Sequence, residues 1–201
     1  VLDKFSIGFW DSLLWGAGAA AGTFVIVASN RMIKWLRAFR KKNTVPYQIE
    51  KAVKVQELLV SLRLKLESAR TYIVQISNGS YYANTISILN MTCTHQSLHE
   101  GVAPVSMYKE GTLLTQAPAL TSTLLREGCW NGTVQDLQDP YIHIAMVNQG
   151  VTYMIAAPFM DSKGGMEGFV VADYMGEVPE VEEACKTVRE YAKRIGFELR
   201  S

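Results

Sequence analysis

From Ser12 to Asn30 nineteen consecutive residues carry no charge, and few environments accept such a run. A helix of about 20 mostly apolar residues, rising 1.5 Å per residue, crosses the ~30 Å hydrocarbon core of a bilayer. The run is long enough to span. Trp15 lies near its start and Trp35 just past its end, where amphipathic indoles favour the membrane–water interface. Arg31, Lys34, Arg37, Arg40, Lys41 and Lys42 follow it, whereas only Asp3, Lys4 and Asp11 precede it. An excess of Lys and Arg beside a span is retained in the cytoplasm, so the expected topology is a single pass of the inner or plasma membrane, with the N-terminus outside and residues 31–201 inside. A signal peptide fits less well, because the positive charges follow the apolar run and no small-x-small cleavage site lies downstream of Val27. A buried or surface-lying helix is the other alternative, although Gly16, Gly18 and Gly22 would each weaken a helix in water by about 1 kcal/mol relative to Ala.

Gly18 and Gly22 stand in GxxxG spacing, flanked by the small pairs Gly16/Ala20 and Ala17/Ala21. One helix face would let a second backbone approach closely, and self-association through it is expected; small residues are also common in membrane helices that do not pair. The basic residues 31–42 are interleaved with Met32, Ile33, Trp35, Leu36 and Phe39. That pattern suits a helix leaving the bilayer along its surface, where each cation gains about 1 kcal/mol from anionic lipids. Residues 1–42 hold seven basic and two acidic side chains, and the remainder 13 basic and 17 acidic. The soluble part is therefore mildly acidic, which argues against a nucleic-acid partner. Its length, about 155 residues, suits a single core. Cys93, Cys129 and Cys185 are odd in number and widely spaced, as expected of a reducing compartment.

The expected organisation is a tail over 1–11, a transmembrane helix over 12–30, a basic juxtamembrane segment over 31–46 and one domain over 47–201. Asn43 to Pro46 is a break. From Tyr47 to about Ala69 the residues Ala52, Val55, Leu59, Leu62, Leu66 and Ala69 recur at steps of three and four, a coiled-coil seam. Leu59, Leu62 and Leu66 are thus candidates for association between copies. Val53, Leu58 and Leu64 lie off the seam, so packing of this helix on its own domain is the competing reading. Arg70–Ser77 is rich in β-formers and ends in Asn78-Gly79, a tight-turn dipeptide. Thr85–Thr94 is a second strand, His95–Val105 a loop or short helix, and Ser106–Leu114 a third strand. Ala117–Glu127 is a helix with Leu120, Leu124 and Leu125 on one face and Gly128 as its stop. Asp139-Pro140 opens another helix as N-cap and N1, and Gly150 closes it. Val151–Phe159 and Gly168–Tyr174 are a hairpin around Asp161-Ser162-Lys163-Gly164-Gly165. A last helix, Glu180 to about Leu199, buries Val181, Cys185, Val188 and Ile195 on one side. The order predicts an α+β domain with a central, mostly antiparallel sheet flanked by helices.

On these residues the chain resembles GAF domains, whose fold is PAS-like. The carriers are the first strand, Arg70-Thr-Tyr-Ile-Val-Gln-Ile-Ser-Asn-Gly79, and the closing hairpin, Gly150-Val-Thr-Tyr-Met-Ile-Ala-Ala-Pro-Phe-Met-Asp161 followed by Gly168-Phe-Val-Val-Ala172. Pro158, Asp161 and Gly168 fall in the order of the family's closing pattern. The resemblance covers roughly residues 47–200 and implies a sensory or interaction module, with any ligand held between the sheet and its covering loops. His95, Tyr108, Trp130 and Tyr153 are the candidates for lining such a pocket, by fold analogy. The cyclic-nucleotide signature Asn-Lys-x-Phe-Asp-Glu is absent. Covalent attachment of a bilin would need an exposed pocket cysteine, and Cys129 is the loop cysteine that offers itself. Some GAF proteins reduce free methionine sulfoxide through pocket cysteines, but nothing in the spacing brings Cys93, Cys129 and Cys185 together.

His95 and His99, four apart, would face one metal on a helix, yet Cys93 and Glu100 complete no known spacing and a solvated loop is the plainer reading. His143, between Ile142 and Ile144, reads as a packed residue. No phosphate loop or nucleophile motif occurs. No catalytic residue, metal or cofactor is assigned. The expectation is a non-enzymatic, membrane-anchored module that oligomerises through its span and first helix and engages anionic lipids and a protein partner. A second resemblance, in pattern only, is to the T-even phage holins, which also carry one span near the N-terminus and a domain ending in strand, turn, strand and helix. It implies a lysis protein or another phage membrane component. Those holins hold the domain in the periplasm, opposite to the orientation that residues 31–42 predict.

Overall fold

The seam of small and aliphatic residues after Pro46 does form a helix, and the chain spends it internally. The computed structural model describes residue 32 and residues 44–81, 87–105, 111–178 and 180–201. Its first helix, α1, runs Val45–Leu66, and Val55, Leu59, Leu62 and Leu66 are its buried residues. All four join one core with Ile73, Ile155, Val170 and Ala172 from the sheet. Each such side chain stabilises by roughly 1.5–3 kcal/mol on full burial. Leu59, Leu62 and Leu66 are thus no interface between copies, because a sheet face takes the stripe first; Ala69 lies beyond the helix. Of the residues off the seam, Val53 and Leu64 are exposed, while Leu58 is partly buried against the same core.

The sheet has six strands in the order β3-β2-β1-β6-β5-β4: β1 Arg70–Tyr81, β2 Ser87–Leu98, β3 Thr112–Leu113, β4 Trp130–Thr133, β5 Tyr153–Met160 and β6 Met166–Tyr174. Every pairing is antiparallel. Between strands come α2 Pro118–Glu127 and α3 Pro140–Asn148, and α4 Val181–Arg200 ends the chain. Strand alternation sends side chains to two faces. Ile73, Ile155, Ala157, Val170 and Ala172 meet α1 and α4 on one face. Tyr72, Val74, Met154, Ala156, Phe169 and Val171 meet α2 and α3 on the other. Thr71 Oγ1 donates to Leu59 O at 2.9 Å, tying α1 to β1, and the Ser61 and Tyr191 hydroxyls bond at 2.8 Å, tying α1 to α4.

Several signals act as read. Gly128 ends α2 at φ 69°, its N–H bonded to Leu124 O, and Gly150 takes φ 72° just after α3. Gly168 is required by contact: a Cβ there would strike the Val74 carbonyl oxygen and the Phe159 ring. Others are overruled. Asn78-Gly79 makes no turn, because β1 continues through it, paired to β2 past a register shift; Gly79 leaves room there for the Asn90 side chain. His95 to Leu98 belong to β2, so the expected loop starts later. Of Ser106–Leu114, residues 106–110 lie outside the described residues, and strand is confined to the two-residue β3 within the rest. Leu125 is exposed while Leu120 and Leu124 are buried.

Contacts divide the chain into Val1–Glu50 and Lys51–Ser201. The span expected at 12–30, with Gly18 and Gly22, and the basic residues Arg31, Lys34, Arg37, Arg40, Lys41 and Lys42 lie outside the described residues. Among the described residues no helix is long and apolar enough to cross a membrane.

Candidate functional site

The four residues expected to line one pocket do not share one. Tyr108 lies outside the described residues. Trp130 packs on the α2/α3 face and Tyr153 on the α1/α4 face. The register explains it: Trp130 pairs with Ala156 and Thr133 with Tyr153, an odd offset that turns the two rings to opposite sides. His95 is on β2, with three strands between it and β4. Its Nδ1 meets Thr94 Oγ1, and His99 Nδ1 meets Glu100 O. A strand does not bring i and i+4 side chains together as a helix does, and among the described residues no group of three His, Cys, Asp or Glu could hold a metal ion.

The structure assembles a different pair. Cys129 follows the Gly128 stop of α2, and Cys185 sits in the first turns of α4. Fifty-six positions separate them in sequence, yet both enter one core cluster. Both are buried, at 4% and 7% exposure, in the α1/α4-side core. Arg189, one helical turn after Cys185, donates from Nε to Gly128 O at 3.2 Å and from Nη2 to Glu127 O at 3.4 Å. These bonds tie the end of α2, and Cys129 with it, to α4. The Cys129 thiol lowers Cys185 to about 7 against the effect of burial, and the Arg189 charge lowers it further. The Cys185 thiol and burial raise Cys129. Cys93, on β2, is half-buried and pushed up to about 11, chiefly by burial.

On the opposite face Arg70 and Asp173 form an ion pair at 2.7 Å with neither side chain exposed. Arg70 Nη1 also donates to Ala103 O at 3.2 Å, and its guanidinium carbon stands 5.9 Å from the Tyr72 ring centroid. Burial raises the Asp173 carboxyl to about 6 although Arg70 pulls it down.

A third feature is a surface. Between α1 and α4 runs an open groove of about 590 Å³ lined by Lys54, Glu57, Leu58, Arg194, Phe197 and Glu198, among others. A neighbouring groove of about 490 Å³ lies along Val53, Val60 and Leu64 of α1. Val53 is 50%, Leu64 61% and Phe197 65% exposed, so one apolar stripe is bordered by charges of both signs. The off-seam positions of α1 marked half of it in the sequence; Phe197, on the last helix, went unmarked.

The fold is a GAF-like α+β domain. The chain resembles the blue-light absorbing form of the Thermosynechococcus elongatus PixJ GAF domain, with a TM-score of 0.58 and 14% identity over 78% of this chain and 89% of that one. It also resembles the phycoerythrobilin-bound GAF domain of a cyanobacterial phytochrome, at 0.57 and 13% over 82% and 91%. The chromophore-binding domain of the bacteriophytochrome RpBphP3 from R. palustris matches at 0.56 and 10% over 86% and 61%. No protein-family model matches the sequence, and no curated protein matches it.

Proposed function

We propose that this chain is a non-enzymatic, membrane-tethered GAF-like interaction module, anchored by residues 12–30 and self-associating through the outer face of α1 and α4. The observation that carries the reading is the exposed stripe of Val53, Leu64 and Phe197 beside Lys54, Glu57, Arg194 and Glu198. A two-fold interface sets the same patch against itself. A patch with apolar centre and flanking charges of both signs then meets its opposite charges on the other copy. The anchor raises the encounter rate by confining both copies to one surface.

A bound bilin, such as the phycoerythrobilin of one of the similar structures, does not fit the described residues. The α2/α3 face of the sheet, where a GAF ligand would lie, is filled by Tyr72, Met91, Leu124, Ile142, Met146 and Phe169, all fully buried. Cys129, the cysteine expected to offer itself, belongs to the other face. The lysis-protein reading has no structural observation on its side.

The test uses the full chain in bacterial membranes, with a reporter fused after Ser201 and single cysteines for crosslinking placed in a background lacking native thiols. The expected result is resistance to carbonate extraction, a cytoplasmic reporter and covalent dimers from Leu64→Cys but not from the buried Leu62→Cys. Release by carbonate would remove the tether. Equal crosslinking at both positions, or none at Leu64, would remove the interface. A periplasmic reporter with abrupt lysis would restore the holin reading.

A further inference from the structure

We infer that the outer face of α3 seats in the headgroup boundary of a lipid bilayer, an assignment that rests on the membrane tether proposed above. The helix reads Pro140-Tyr-Ile-His-Ile-Ala-Met-Val-Asn148 and contains no Asp, Glu, Lys or Arg. Its inner residues Ile142 and Met146 are wholly buried in the α2/α3-side core. The outer side is just as apolar: Tyr141, Ile144 and Val147, spaced three apart, are 43%, 61% and 47% exposed. On α4 the exposed positions are filled instead by Glu183, Lys186, Glu190 and Lys193, among others. A helix apolar on every side belongs in an interior, yet this one stands at the surface of the domain.

Charge separates this face from the proposed protein interface. The α1/α4 stripe is bordered by Lys54, Glu57, Arg194 and Glu198, which can select and register a protein partner. The α3 face offers no charge for that purpose. Its lack of charge is what lipid requires, because a charged side chain resists entry into hydrocarbon, whereas apolar area alone drives a surface helix into the headgroup and acyl boundary. Tyr141, apolar with a polar tip, suits that depth. Chain length supplies the lipid. Residues 31–44 join the proposed anchor to α1 and reach at most about 50 Å when extended. The domain they carry has a radius of gyration of roughly 15 Å, so a bilayer is always within reach of its surface. Beyond residue 42 acidic side chains outnumber basic ones, so the contact is apolar and neutral lipid serves as well as anionic.

The full chain, in the background lacking native thiols, is given one cysteine by Ile144→Cys, labelled with nitrobenzoxadiazole and reconstituted into phosphatidylcholine vesicles. A companion carries the label through Glu190→Cys, exposed on α4. Doxyl groups on the lipid acyl chains should quench the label at 144 and leave that at 190 unquenched, to the same extent with or without phosphatidylserine. Val147→Asp, a change at an exposed position that leaves the core intact, should abolish the quenching at 144. Carbonate extraction of the same vesicles reports the anchor separately. A chain that resists carbonate but shows no quenching at 144 would overturn the α3 contact and keep the tether. Quenching at 144 in a chain that carbonate strips away would remove the anchor and leave the contact standing. Quenching equal at 144 and 190, or quenching that needs phosphatidylserine, would overturn the contact. So would covalent dimers from unlabelled Ile144→Cys without lipid quenching, which would give the face to a second copy.

Discussion

The two faces of the sheet are built from alternate residues of the same strands, yet they are stabilised differently. On one, Ile73, Ile155, Val170 and Ala172 meet two long helices in a core that is almost wholly aliphatic and aromatic, with its sole sulfur pair at Cys129 and Cys185. On the other, Tyr72, Val74, Phe169 and Val171 meet two short helices, and the buried charges Arg70, Asp173 and Asp139 all serve that side. A long helix supplies its own backbone hydrogen bonds and enough apolar area to close a face unaided. Short helices and 3-10 turns leave more backbone ends per residue, so their face needs buried side-chain acceptors and ions. The difference gives the second face a pH dependence that runs through the buried Asp173 carboxyl.

Arg70→Met is the sharpest way to break this contrast. It leaves Asp173 buried without its counter-ion, and stability should fall by about 3–5 kcal/mol at pH 8. The sign of the pH dependence follows from the carboxyl. Its folded pKa, about 6, already lies above the unfolded value of 3.8, so its contribution is complete below the unfolded value and is lost as pH rises through the folded one. Removing Arg70 takes away the main influence holding that pKa down and widens the window upward. The deficit of the variant should shrink toward pH 5, where Asp173 is protonated. Replacing both partners, Arg70→Met with Asp173→Leu, should recover most of the loss. Urea titrations of the full chain at pH 5 and pH 8 measure all three; a deficit equal at both pH values would show that Asp173 does not titrate as its burial requires.

Leu62→Ala tests the aliphatic face. Leu62 is wholly buried between α1 and the sheet, and its truncation should cost about 2–4 kcal/mol through lost burial and a residual cavity. The same titrations should give the same loss at pH 5 and pH 8, since no ion is involved. A loss below 1 kcal/mol would mean that α1 does not hold this stripe against the sheet.

How much of this could be read beforehand follows the same division. The α1/α4 face was legible because its residues repeat at helical spacing, as in Val55, Leu59, Leu62 and Leu66, or stand in the hairpin signalled by Pro158, Asp161 and Gly168. What the repeat could not tell was whether the seam met a second copy or the chain's own sheet, because both surfaces accept the same stripe. The candidate site was not legible. Cys129 and Cys185 enter one core only after α2, β4, α3, β5 and β6 have all been placed, so no local spacing announces it. The Trp130 and Tyr153 pocket failed on register, since strand phase depends on a pairing that sequence does not state. Asn78-Gly79 failed because a turn preference of order 1 kcal/mol loses to a ladder that continues on β2.

Asp139 joins the two kinds of information, and its replacement should give the smallest of these effects. The sequence marks it as the N-cap of the helix that Pro140 starts, and its carbonyl does accept from His143 N at 2.9 Å. Its carboxylate serves a different helix: Oδ1 and Oδ2 accept from Ala119 N at 3.0 Å and Leu120 N at 2.8 Å, at the start of α2, where Ala117 supplies no side-chain cap. A buried carboxylate at a helix N-terminus satisfies orphan amides and complements the helix dipole. Asp139→Ala should therefore cost about 1–3 kcal/mol, and the damage should appear at a distance. Amide exchange should quicken at residues 119 and 120 and through the first turn of α2, while residues 143–148 of α3 keep their protection. If the α3 amides were the ones to lose protection, Asp139 would be a cap for its own helix, and the link that orders the α2/α3 face would have to lie elsewhere.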